Sequence, residues 1–111
     1  MGISTHVLDT AAGRPAAGIA VTLERFDGEL WSGVAAGTTD ADGRVGGLVA
    51  NSDLTVGDYR IAFQTGAYFA ARDQRSFHPQ VAIEFTVHDA AEHYHVPVLL
   101  TPWSYSTYRG S

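Results

Sequence analysis

The sequence predicts an all-β protein, an antiparallel β-sandwich of seven to eight short strands with one short helix. Three observations lead there. Apolar residues recur at every second position through most of the 111-residue chain, the period of strands that bury one face and wet the other. Turn-forming residues interrupt these runs at intervals of about 8 to 12 residues, the spacing of sandwich hairpins. Only the stretch 66–74 has helical composition, long enough for about two turns.

Ile3-Ser4-Thr5-His6-Val7-Leu8-Asp9 alternates as the first strand, with Ile3, Thr5 and Val7 on one face and His6 and Leu8 on the other. Thr10 to Gly18, punctuated by Gly13, Pro15 and Gly18, reads as a loop. Ile19 to Phe26 is a second strand with Ile19, Val21 and Leu23 inward, closed by the Asp27-Gly28 turn. A third runs from about Leu30 to Thr38. In the turn Thr39 to Arg44, Asp40 and Asp42 tolerate turn geometry and Gly43 supplies the left-handed position, so Arg44 leaves it at a defined point. Val45 to Leu54 is glycine-spotted and weakly patterned, at most one short edge strand.

Tyr59 to Thr65 alternates clearly and leads into the helical stretch. Pro79 resets the chain, after which Val81, Ile83, Phe85 and Val87 alternate with Ala82, Glu84, Thr86 and His88 as the clearest strand of all. Asp89 to Glu92 turns it back. Tyr94, Val96, Val98 and Leu100 then form a core row against His93, His95, Pro97 and Leu99. Past the Thr101-Pro102 break, Ser104 to Tyr108 resumes β-favouring sequence before Arg109-Gly110-Ser111.

Length and composition bound the function. A chain of this size reads as one domain, 1–111, able to bury a core without staples. With no cysteine, disulfides, thiolate zinc sites and a cysteine nucleophile are excluded. Seven Lys and Arg against twelve Asp and Glu, a formal charge of -5 with no basic block, argue against nucleic acid. No apolar run approaches the roughly 18 residues of a membrane span, so no membrane partner is expected. Met1 to His6 lacks the basic and apolar regions of a secretory signal, and the expectation is a cytoplasmic protein.

Five histidines are candidates for chemistry: His6, His78, His88, His93 and His95. Taken singly, each is more simply a rim or loop residue. Parity separates two of them. His6 shares its face with Leu8 and His95 shares its face with Leu99, so both imidazoles lie on a half-apolar face outside the core. Such a face is usually covered, most economically by a second copy of the chain. His93-x-His95 has same-face spacing, and with His6 a three-histidine zinc site is conceivable; His-x-His is a weak signal, and no metal or other cofactor is expected. Asp40-x-Asp42-Gly43 begins like a calcium loop, but Arg44 and the lack of a closing Glu end that reading. Arg44 and Arg109 are the cations to place beside the histidines. Imidazoles with guanidinium forks suit a small, planar, carbonyl-rich or anionic molecule.

Ile3 to Thr10 with Gly13-Arg14-Pro15-Ala16, Asp42-Gly43-Arg44, Gly66-Ala67-Tyr68-Phe69, and His93-Tyr94-His95-Val96-Pro97 through Tyr105-Ser106-Thr107-Tyr108-Arg109-Gly110-Ser111 closely resemble the 5-hydroxyisourate hydrolases, transthyretin-like enzymes of urate breakdown. The resemblance runs over essentially the whole chain, and the closing Tyr-Arg-Gly-Ser is its most specific part. It implies a transthyretin-like sandwich of two four-stranded sheets and a homotetramer with active sites at subunit interfaces. It also implies catalytic roles for His6, Arg44 and His95, with Tyr108, Arg109, Gly110 and Ser111 forming part of the substrate site. The chemistry so implied is opening of the 5-hydroxyisourate ring by activated water, with either histidine as the base. A carrier of small ligands on the same fold is the alternative.

Overall fold

The computed structural model describes residues 2–111, apart from the side chain of Asn51; Met1, on which the sequence reading of the amino terminus begins, lies outside them. Among the described residues nine strands form two sheets. They are β1 (Ile3–Asp9), β2 (Arg14–Pro15), β3 (Ala20–Phe26), β4 (Trp31–Thr38), β5 (Arg44–Val49), β6 (Gly57–Phe63), β7 (Val81–Val87), β8 (Tyr94–Leu100) and β9 (Tyr105–Thr107). The first sheet runs β2-β1-β8-β9, with β5 also paired to β1; the second runs β4-β3-β6-β7.

Parity holds along β1 and β8 except at Pro97, which belongs to the outer row but is buried. In β1, Ile3, Thr5 and Val7 are buried while Ser4, His6 and Leu8 are only partly covered. In β8, Tyr94, Val96, Val98 and Leu100 are buried, and they meet Val21, Leu23, Ile61, Phe63, Val81 and Val87 of the facing sheet in one core. Burial of each such side chain contributes about 1.5–3 kcal/mol, which is why a one-residue slip of either strand is strongly disfavoured.

Three details differ from the sequence expectation. The loop Thr10 to Gly18 contains β2, which pairs with the end of β1 and makes the first sheet five-stranded rather than four-stranded. The helix, α1, spans Thr65–Ala70 and does not continue to Gln74; a turn follows it, and Asp73 takes a positive φ of 56°. The sandwich is antiparallel except at one place, where β1 and β8 run parallel along their whole length. Alternation tells which side chains share a face and says nothing about strand direction.

That parallel pair sits at the centre of the first sheet. Its other neighbour is β5, antiparallel to β1 and aligned so that His6 stands opposite Arg44. The weakly patterned segment after Gly43 therefore supplies the expected short edge strand, paired to β1 with a register shift between Ile3 and Thr5. At its far end β1 is anchored by Asp9, buried, whose carboxylate accepts hydrogen bonds from the Tyr68 hydroxyl at 2.8 Å and the Ala12 amide at 2.9 Å.

Candidate active site

Arg44 is placed by its turn. Asp40 Oδ1 accepts the amides of Asp42 (2.9 Å) and Arg44 (3.0 Å), while the Asp40 amide donates to the Arg44 carbonyl at 2.9 Å. Gly43 has φ 76°, its carbonyl accepts from the Val7 amide at 2.7 Å, and a side chain there would overlap the Val7 carbonyl. Only glycine permits that approach. The turn is thus locked against β1, and Arg44 begins β5 directly beside His6.

The register of β1 on β8 does the rest. Ser4 lies opposite His95 and His6 opposite Pro97. Ser4, His6, His93 and His95 consequently project from the outer face of the first sheet, each partly covered. Ser4 Oγ is 2.8 Å from His95 Nδ1 and 3.0 Å from His93 Nε2. The two imidazoles are nearly parallel, 16° apart with centroids at 6.4 Å, and each turns a nitrogen to the same hydroxyl. The point on which they converge is occupied by the Ser4 hydroxyl, and among the described residues no cluster of three His, Asp or Glu donors is placed to share an ion.

Ser4, Arg44, His93, His95 and Ser111 line a cleft of about 330 Å³, together with the edge of β5. His6 is not among its lining residues and stands at its margin, opposite Arg44. Burial, then the nearby His93, His6 and Arg44, hold the His95 imidazole below its ordinary value, the Ser4 main chain pulling weakly the other way. The physical cause is a partly dry site in which protonated His95 would lie beside other basic side chains. His95 is therefore neutral at pH 7.

The closing tetrapeptide is divided. Gly110 bridges to His95, its amide donating to the His95 carbonyl at 2.9 Å, and Ser111 reaches the cleft. A Cβ on Gly110 would come within 2.5 Å of His95 Cδ2, so this glycine lets the terminus lie against the imidazole. Tyr108 and Arg109 turn elsewhere. Arg109 pairs with Glu92 at 3.0 Å, donates to the His93 carbonyl at 3.2 Å and lies 4.5 Å over the Tyr94 ring. Both line a second, mostly apolar cleft between β7 and β8–β9, and His95 lines it as well. The structure thus joins Arg44, His95 and Ser111 in one cleft, sets His6 and Gly110 beside it, and places Tyr108 and Arg109 in the second cleft, which His95 also lines.

Two residues of the cluster escaped the sequence reading, Ser4 and the use of His93. Ser4 sits in the row of His6, and His93 in the row of His95; what was missing was the cross-strand register that makes them partners.

A family model for the HIUase/transthyretin family matches residues 3–110. The chain belongs to this family. It is 47% identical to 5-hydroxyisourate hydrolase of Caulobacter vibrioides, over 99% of this chain and 98% of that protein. Among solved structures of the family, Klebsiella pneumoniae 5-hydroxyisourate hydrolase superposes with a TM-score of 0.85 at 38% identity, covering 98% of this chain and 92% of that one. Sea bream transthyretin in complex with thyroxine superposes with a TM-score of 0.94 at 29% identity, covering 99% and 95%. The fold is shared with both, while sequence identity is higher to the hydrolases. No helix among the described residues is long and apolar enough to cross a membrane.

Proposed function

We propose that this protein hydrolyses 5-hydroxyisourate to 2-oxo-4-hydroxy-4-carboxy-5-ureidoimidazoline in urate breakdown. The observation that carries the reading is the pairing of His6 with Arg44 across β1 and β5, beside a cleft that holds His95. Identity of 47% to a hydrolase over nearly both whole chains supports it. Ring opening requires water to attack an acyl carbon bonded to nitrogen. Water must lose a proton, the carbonyl oxygen must be stabilised as it gains charge, and the departing nitrogen must gain a proton. His6 and His95 supply proton transfer and hydrogen bonding. Arg44 holds ring oxygens with a rigid fork and stabilises the developing charge, a task for which Lys is a poorer match. Ser111 and the terminal backbone position substrate.

The enzyme works as a cytoplasmic homotetramer without a cofactor, its clefts closed by neighbouring subunits. The half-apolar outer face carrying Leu8 and Leu99 beside the histidines supports this assembly. A monodisperse monomer at micromolar concentration would overturn it.

The rival reading is a small-ligand carrier, favoured by the close superposition on a thyroxine-bound transthyretin. One assay separates them: freshly generated 5-hydroxyisourate loses its ultraviolet absorbance faster than its spontaneous decay if the protein is an enzyme. An unchanged decay rate at micromolar protein leaves the carrier.

A further inference from the structure

Ser4 Oγ lies between two imidazole nitrogens and has one proton to give. Three proton arrangements are possible, and the surroundings separate them. If both rings donated to Ser4, its own proton would be left without an acceptor, because the two histidines are the only hydrogen-bond partners of Oγ among the described residues. If Ser4 donated to His93 Nε2, the proton of neutral His93 would lie on Nδ1. That atom is buried and has no partner. An N–H orphaned away from water is among the rarest defects of folded proteins, and a bare lone pair is tolerated more readily. The remaining arrangement leaves no buried proton without an acceptor: His93 Nε2–H donates to Ser4, and Ser4 donates to His95 Nδ1. His95 then carries its proton on Nε2, the nitrogen that makes no hydrogen bond among the described residues.

We infer that Ser4 is a positioning residue that holds His95 as a neutral Nε2–H donor. Resting on the hydrolase reading, the inference divides the labour that reading leaves open. His95 with Nδ1 occupied and Nε2 protonated has no lone pair for water, so it donates a hydrogen bond to the carbonyl oxygen, next to Arg44. His6 is then the base. Its imidazole takes a proton from water as the oxygen–carbon bond forms, and returns that proton to the ring nitrogen as the carbon–nitrogen bond breaks. Atoms and charge balance without a further reagent. The partly dry setting of His95 beside other basic side chains serves this role, because an imidazolium would not keep the neutral donor state through the cycle.

The test uses the full-length protein with nitrogen-15 histidine, and long-range proton–nitrogen spectra that distinguish the two neutral tautomers. In the wild type, His95 is expected as the Nε2–H form. Ser4→Ala should shift the His95 Nδ1 resonance by removing its donor, and Ser4→Thr, which keeps the hydroxyl, should retain the wild-type value. In turnover, Ser4→Ala should lower kcat roughly tenfold with little change in KM, with Ser4→Thr restoring it. A wild-type His95 found in the Nδ1–H form, or a Nδ1 resonance unmoved in Ser4→Ala, overturns the assignment. The spectra need no substrate, so an inactive wild type would defeat the hydrolase reading while leaving the role of Ser4 to be decided by the tautomer.

Discussion

The outer faces of the two sheets are built by the same pleat and carry opposite kinds of polar surface. On the second sheet the groups are paired across strands. Arg60 donates from Nε and Nη2 to Glu24 Oε1 at 3.1 and 3.0 Å, approaches Glu84 at 3.9 Å, and lies 4.2 Å over Trp31. Thr86 donates to Asp58 at 2.7 Å, and Gln64 reaches Gln80 at 3.1 Å. On the first sheet, two imidazoles share one hydroxyl in a cleft also lined by Arg44, and no Asp or Glu side chain lines it. Charges satisfied by their neighbours stabilise a surface and have nothing left to offer a ligand. Groups left uncompensated cost stability and keep their hydrogen-bonding capacity for a substrate.

Several variants would break or sharpen this contrast. The largest effect is expected on the first sheet, where His6→Ala and His95→Asn should each cut turnover by roughly 10²-fold or more while far-ultraviolet circular dichroism is unchanged. Near-normal activity in either would remove that residue from the mechanism. Gly110→Ala comes next, since the added methyl pushes on the His95 ring. Displacing a reacting group by about 1 Å costs on the order of 10²-fold, so turnover should drop sharply with the melting temperature little altered. If stability fell instead and activity per folded molecule held, the close approach would be structural only.

A smaller effect concerns acid. Burial and the neighbouring charged groups hold His95 below its ordinary 6.5, so as pH falls from that value the unfolded chain gains this proton before the folded one does. Stability is unaffected by the group above that window and declines as pH is lowered through it. His95→Asn should flatten this acid limb in melting curves taken across pH; an equally steep limb would show that the imidazole is not held neutral. The smallest effect lies on the second sheet. Arg60→Ala loses a partly exposed pair worth about 0.2–1 kcal/mol, visible as a slightly lower melting temperature, with turnover unchanged. A large loss of activity there would erase the distinction between the two faces.

Much of this was legible before any coordinates. Strand alternation put His6 and His95 outside the core, and the Asp40 to Gly43 turn announced that Arg44 would emerge in a fixed place. The composition of 71–74 predicts helix, whereas α1 ends at Ala70 and the chain closes a turn there. β2 was missed because two residues carry no period. The closing tetrapeptide reads as one unit, yet Tyr108 and Arg109 line one cleft and Ser111 the other, with His95 lining both.

Parity, turn chemistry and the family motifs are local properties, and the sequence by itself therefore determined the sandwich, its inward rows and the residues worth suspecting. Tertiary structure alone decided that β1 lies parallel to β8 with Ser4 opposite His95, and with it the hydroxyl shared by two imidazoles. Partner, direction and register of a strand are chosen by burial against residues some ninety positions away, and no window of neighbouring residues encodes that choice.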